Sequence, residues 1–181
     1  MRHVTRGLMA VAALTFCAFG GCGEDSTGPT QGEEGWQEIT SQGITFQWRV
    51  MGDSLEMVLS APTTGWVGVG FDPSQQMEDA NFLLGYYADG AVETRDDWGT
   101  GAFSHASDLS LGGTDDISVD GGDEAGGETT VEMTIPMDSG DSYDKSLVQG
   151  ESYTIILAHG QDGADDFSSQ HQVAASVSLE L

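Results

Sequence analysis

Thr45-Phe46-Gln47-Trp48-Arg49-Val50-Met51, then Gly52-Asp53, then Leu55-Glu56-Met57-Val58-Leu59, is the stretch that decides the fold. Apolar and polar residues alternate on either side of a short Gly-Asp break. A period of two sends successive side chains to opposite faces of a strand, so the pattern predicts a β-hairpin with one buried face. The same grammar extends outward. Trp66-Val67-Gly68-Val69-Gly70-Phe71 predicts a buried strand whose glycines admit a close neighbour. Residues 82–88 and 91–95 flank Asp89-Gly90, a strong hairpin signal. Thr130-Val131-Glu132-Met133-Thr134-Ile135 alternates and Pro136 ends it; residues 153–159 and 176–181 supply the last two strands. No long 3.6-residue period and no internal repeat is present. Short strands with Gly- and Asp-rich turns predict an all-β, antiparallel β-sandwich.

The N-terminus predicts export. Arg2 and Arg6 form a short basic region, and residues 8–19 are apolar, shorter than a comfortable bilayer span. The run ends in Phe19-Gly20-Gly21-Cys22, which resembles a lipobox: small residues let an extended chain enter the peptidase site, and the thiol takes the lipid. Cys17, preceded by Phe16, fits the pattern poorly. The alternative is an ordinary secretory signal with an incidental cysteine. A lipid anchor holds because each buried methylene adds about 0.8 kcal/mol. Gly23 rather than Asp follows Cys22, which by analogy directs an anchored protein to the outer rather than the inner membrane. The expected division is a signal peptide over residues 1–21, a flexible acidic tether over 22–35 after lipidated Cys22, and a single domain over 36–181.

Cys17 and Cys22 are the only cysteines. Cleavage and acylation consume both, so the mature domain is expected to hold together without disulfides or thiolate metal sites. The absence of Cys-x-x-Cys-His excludes thioether-attached haem. After Cys22 the chain keeps three basic residues, Arg49, Arg95 and Lys145, against thirty acidic ones, a formal charge of −27. Such a surface repels nucleic acid. It suits saline surroundings, cations or a basic partner protein. Residues 112–127 and 160–166 are expected as Gly- and Asp-rich loops. Asp120-Gly121-Gly122-Asp123-Glu124 offers hard oxygen ligands but lacks EF-hand spacing, and a solvated acidic loop is the simpler reading.

No nucleophile elbow, zincin helix, P-loop or dinucleotide fingerprint is present, so a non-enzymatic role is expected. Met51, Met57, Met133 and Met137 are candidates for core packing. Met77 differs, because it stands in the polar turn Pro73-Ser74-Gln75-Gln76-Met77-Glu78-Asp79. His105 falls in a polar stretch and reads as solvated; His159 shares a strand face with Tyr153, Ile155 and Leu157 and reads as a core histidine, with a metal ligand as the rival reading.

Several motifs follow one another in a recognisable order: Thr64-Gly65-Trp66-Val67-Gly68-Val69-Gly70-Phe71, Met77-Glu78-Asp79-Ala80-Asn81-Phe82, Gly85-Tyr86-Tyr87, Gly112-Gly113-Thr114-Asp115-Asp116, Ile135-Pro136-Met137-Asp138-Ser139-Gly140-Asp141 and Asp165-Asp166-Phe167-Ser168-Ser169-Gln170-His171. The ordered set resembles the DOMON domain family, and in particular its cytochrome-type members. The resemblance implies an immunoglobulin-like β-sandwich that binds haem or sugar. It places the axial ligands of a b-type haem on Met77 and His171, with Trp66, Phe71, Phe82 and Tyr86 as apolar walls. Thioether and imidazole together fill both axial positions, which implies electron transfer to a redox partner. The turn bearing Met77 and the segment bearing His171 are then expected at the same end of the sandwich. The chain departs from many relatives after the histidine, where His171-Gln172-Val173-Ala174-Ala175 carries no basic residue for haem propionates. The other reading is a module binding carbohydrate or another small ligand through exposed aromatics at Trp36, Trp48 or Trp98.

Overall fold

The computed structural model describes residues 26–31 and 35–181; the proposed signal segment and Cys22 lie outside them. The described strands are β1 (Ser26–Gln31), β2 (Gln37–Ser41), β3 (Ile44–Met51), β4 (Ser54–Ala61), β5 (Val67–Phe71), β6 (Asn81–Ala88), β7 (Ala91–Gly101), β8 (Ser104–Ser107), β9 (Ser118–Ala125), β10 (Glu128–Pro136), β11 (Ser152–His159) and β12 (Val173–Glu180). One helical turn, α1 (Asp108–Leu111), follows β8. One sheet runs β1-β2-β3-β4-β10-β9 and the other β12-β11-β5-β6-β7-β8. Every pairing is antiparallel, so the chain is an antiparallel β-sandwich. No helix among the described residues is long and apolar enough to cross a membrane.

The predicted hairpins form around the predicted turns. Met51 pairs with Ser54 around Gly52-Asp53, and Ala88 pairs with Ala91 around Asp89-Gly90. Asp89 and Gly90 both take positive φ, 52° and 87°, the twist that matches flanking right-handed strands. The inward residues of β3, β4, β5, β10 and β11 meet as one core, with Phe46, Trp48, Leu59, Val69, Phe71, Met133 and Leu157 fully buried. Phe46 stacks on Trp48 at 5.3 Å between ring centroids and meets Phe71 edge-on at 6.2 Å.

Four expectations change. Trp48, offered as an exposed ligand platform, is at 0% exposure, because its position in β3 shares the inward face with Ile44 and Phe46. Met51 sits at the hairpin end and is 52% exposed rather than in the core, whereas Met57, Met133 and Met137 are buried. Within residues 112–127, Ser118–Ala125 forms β9, the edge strand paired to β10, instead of a loop. An edge strand with little buried side-chain area needs only backbone pairing, so no apolar alternation marks it. Ser26–Gln31, inside the stretch read as tether, pairs with β2, so the first sheet begins before Trp36.

The centre of the second sheet is buried on both faces. All five residues of β5 and the first five of β6 are inaccessible. Leu83 points into the main core, while Phe82 and Leu84 point outward into a second apolar cluster with Trp66 and Ala80. A sheet apolar on both sides needs a cover, and here the loops supply it.

Candidate functional site

The outer face of β5 and β6 forms the floor of a cavity of about 780 Å³. Gly68 and Gly70 make that floor possible. A Cβ at Gly68 would stand 2.5 Å from Leu84 Cδ2, and one at Gly70 would stand 2.3 Å from the Phe82 ring. The side chains of β6 therefore lie directly across the backbone of β5. Ile156 and Ala158 extend the floor onto β11, and Trp66 closes one side.

Two loops reach over this floor from opposite ends of β5. The first, residues 72–80, follows Phe71. Asp72, Gln76 and Asp79 take positive φ between 52° and 59°, and Gln75 bridges Glu78. The Ser74 hydroxyl donates to Asp79 Oδ2 at 2.7 Å, and Asp79 N–H donates to the Gly99 carbonyl at 2.9 Å. Gly99 is required at that contact, since a Cβ there would stand 1.7 Å from the Met77 carbonyl oxygen. The turn is thus pinned to β7, and Met77, half-buried, packs on the second cluster.

The second loop, residues 160–172, connects β11 to β12 near Trp66. Trp66 N–H donates to the Ala164 carbonyl at 3.1 Å, and Gln172 N–H donates to the His159 carbonyl at 2.8 Å. Phe167 packs on Tyr86 at 4.9 Å between centroids, lies under the Arg95 guanidinium, and gives its carbonyl to Arg95 Nη2 at 3.0 Å. Asp166 accepts from the N–H and hydroxyl of both Ser168 and Ser169. Those hydroxyls first, then the backbone donors, hold its carboxyl far below the usual range. This turn carries an exposed His171 to the cavity rim.

Met77 and His171 therefore line one cavity, together with Trp66 and Phe82. Contrary to the expectation that they share one end of the sandwich, the two loops do not. Val67 pairs with His159 and Phe71 with Ile155, so they approach from opposite ends of β5, about 13 Å apart at strand rise. Phe71 is not a wall: it faces the inter-sheet core at 0% exposure, because odd positions of β5 point inward. Tyr86 is on the cavity's sheet face but one step aside, supporting Phe167. Burial, then the charges of Glu93, Asp165 and Asp166, raises its hydroxyl pKa.

His105, read as solvated, lines the cavity instead. It stands on β8, packs on Phe82 at 5.6 Å between centroids, and shares a short hydrogen bond through Nδ1 with Asp97. Arg95 forks onto the same carboxylate, with both bonds at 2.6 Å. Burial alone would raise Asp97, but the bonds from His105 and Arg95 prevail and hold it below the usual carboxylate range. His159 is buried, is bonded through Nδ1 to the Gly160 carbonyl at 2.7 Å, and stays out of the lining. Trp36 lies under Arg49 and Trp98 under Lys145, both away from the cavity. Phe103 is 83% exposed at the cavity lip, and its one signal in the sequence is an aromatic residue in the small-residue turn Gly101-Ala102-Phe103-Ser104.

The arrangement is a β-sandwich with an apolar, loop-covered cavity that offers a thioether and imidazoles. The DOMON domain family matches residues 40–160, two thirds of the chain, and the chain belongs to that family. Met77 lies inside the matched span and His171 beyond it. Two solved structures share the fold. The cytochrome domain of Myriococcum thermophilum cellobiose dehydrogenase aligns with a TM-score of 0.60 at 10% identity, covering 88% of this chain and 89% of that one. The cytochrome b domain of pyranose dehydrogenase from Coprinopsis cinerea aligns with a TM-score of 0.55 at 14% identity, covering 76% of each. No curated protein sequence matches the chain.

Proposed function

We propose that the protein is an envelope-anchored b-type haem electron carrier without catalytic activity of its own. The observation that carries this reading is the meeting of Met77 and His171 on one apolar cavity in a DOMON sandwich. The cavity volume is within the range of small-molecule and cofactor sites, and the floor of Phe82, Leu84, Ile156 and Ala158 suits a flat hydrophobic ring. Met77 supplies a soft thioether that favours the reduced metal, and His171 supplies an imidazole that tolerates both states. Trp66 and Phe82 would wall the ring and exclude water. Bound there, haem supplies one reversible electron. Among the described residues no lysine or arginine lines the cavity, and the Ser74, Ser168 and Ser169 hydroxyls already donate to Asp79 and Asp166, so the side-chain amides of Gln75, Gln76 and Gln170 at the rim would serve propionates as neutral donors. Cys22 would carry the lipid that holds the domain at the outer membrane, within reach of a redox partner.

The protein should be produced with haem available and its spectrum recorded oxidised and reduced. Low-spin, six-coordinate bands are expected. His171→Ala should lose haem or turn it high-spin, and Met77→Ala should lower the potential and admit carbon monoxide. A colourless protein that hemin cannot reconstitute overturns the haem assignment and moves the cavity to a neutral small ligand such as a sugar. Haem retained unchanged in His171→Ala shifts the ligand to His105, the other imidazole of the lining.

A further inference from the structure

We infer that Asp96, Asp116 and Asp144 form a binding site for one divalent cation of the calcium kind, independent of the cavity's occupant. Asp96 lies on β7 beside Asp97, and in a strand two consecutive residues face opposite ways. Asp97 turns toward the cavity; Asp96, paired across the sheet with Leu83, turns toward the core. Asp116 comes from the 112–117 segment and Asp144 from the segment after β10. One carboxylate oxygen of each of the three lies within 4.8 Å of the others.

Asp144 Oδ2 accepts from the Ser139 hydroxyl and Asp116 Oδ2 from the Thr114 hydroxyl, but the buried groups around them are short of partners. Asp96 is 2% exposed; its Oδ2 accepts from Asp116 N–H at 3.3 Å, but its Oδ1 has no hydrogen-bond donor. Asn81, also 2% exposed, donates its amide to Asp144 Oδ1 at 2.8 Å, and its own Oδ1 is left unpartnered there. Asp108, fully buried at the start of α1, has no donor for either oxygen. Buried carboxylates without partners are costly unless a counter-ion meets them. None of the ion pairs among the described residues involves these groups: Arg49 serves Glu56, Arg95 and His105 serve Asp97, and Lys145 serves Asp72.

The chemistry selects the ion. Carboxylate and amide oxygens are hard ligands, and calcium takes 6–8 of them in a flexible shell. Asp96, Asp116, Asp144 and the free oxygen of Asn81 supply the protein's share, with water completing it. Bound there, the cation would join β6, β7 and the two segments carrying Asp116 and Asp144. Asn81 directly follows the Met77 turn, so the same ion would brace that turn.

The test uses the full chain, stripped with EDTA and held in excess sodium chloride to suppress diffuse binding by the acidic surface. Calcium chloride is titrated by calorimetry, with magnesium chloride in parallel, and melting is followed at each concentration. One calcium per chain is expected, with a melting midpoint that climbs as calcium is added and a weaker response to magnesium. Asp116→Asn, on a partly exposed residue, should weaken calcium at least tenfold. Asp96→Asn should abolish the site while melting no lower than the stripped wild type. Absence of a calcium-dependent heat and midpoint shift in the wild type overturns the inference. So does unchanged binding in both variants, which would place calcium on the general acidic surface.

Discussion

Gly70→Ala asks whether the cavity floor depends on the Phe82 ring lying directly on strand backbone. An alanine in an ordinary strand interior is better than glycine by about 0.5–1 kcal/mol, because glycine loses more backbone freedom on folding. At Gly70 the added Cβ would stand 2.3 Å from Phe82 Cε1, 2.5 Å from Cδ1 and 3.0 Å from Cζ. Carbon pairs settle near about 3.5–4.0 Å, so the ring must withdraw by roughly 1 Å or more. It has little room, since Phe82 is 6% exposed and wedged against His105 and the second cluster. Overpacking of this kind costs about 1–3 kcal/mol, which exceeds the backbone gain and leaves a net loss of about 0.5–2 kcal/mol. For a domain of this size the melting midpoint should fall by about 1–8 °C. Hemin affinity should fall with it, because the displaced ring enters the cavity. Gly121→Ala is the control: its nearest neighbour is the flexible Glu132 carboxylate at 3.4 Å, so it should melt at or above the wild type. Combining Gly70→Ala with Phe82→Leu should lose less than the sum of the single changes. A Gly70→Ala protein that melts no lower than the wild type and takes hemin equally well refutes the reasoning.

Raising sodium chloride should raise the melting midpoint, since a formal charge of −27 repels itself and salt screens beyond about 8 Å at physiological strength; a flat or falling midpoint rejects this. Asp97 is held below the usual carboxylate range in the folded state, so its bonds to His105 and Arg95 stabilise fully above its unfolded value of about 4 and are lost as pH falls through the lower folded value. The midpoint gap between wild type and Asp97→Asn should therefore be open at pH 6 and close below about pH 4; the difference isolates this group from Asp96 and Asp108, whose raised values act in the opposite direction. A gap constant with pH disproves it. Cys22→Ala should abolish incorporation of a tagged fatty acid, and label retained by the variant would dismiss the anchor.

The sandwich was legible because alternation writes burial directly into β3, β4 and β10, and Asp89-Gly90 and Gly52-Asp53 write the turns between strands. The glycines of β5 announced a close neighbour, and an apolar Met77 in a polar turn announced a contact. Position in the sheets was not legible. Trp48 and Phe71 look like ligand platforms until the parity of their strands turns them into the core. β9 and β8 pair through backbone at sheet edges, where side chains need not alternate. The partners of His105 and of Asp96 stand on other segments, so sequence distance hides them. Two consecutive aspartates in β7 do imply that one faces inward, but only if the strand is known to continue past Arg95. The sequence by itself determined the strands, their turns and the residues with unusual chemistry, because those depend on local period and backbone preference. Only the tertiary structure decided that Met77 and His171 share a cavity from opposite ends of β5, and that three aspartates converge. Both depend on which face each strand presents, and that is set by the whole sandwich closing on its core.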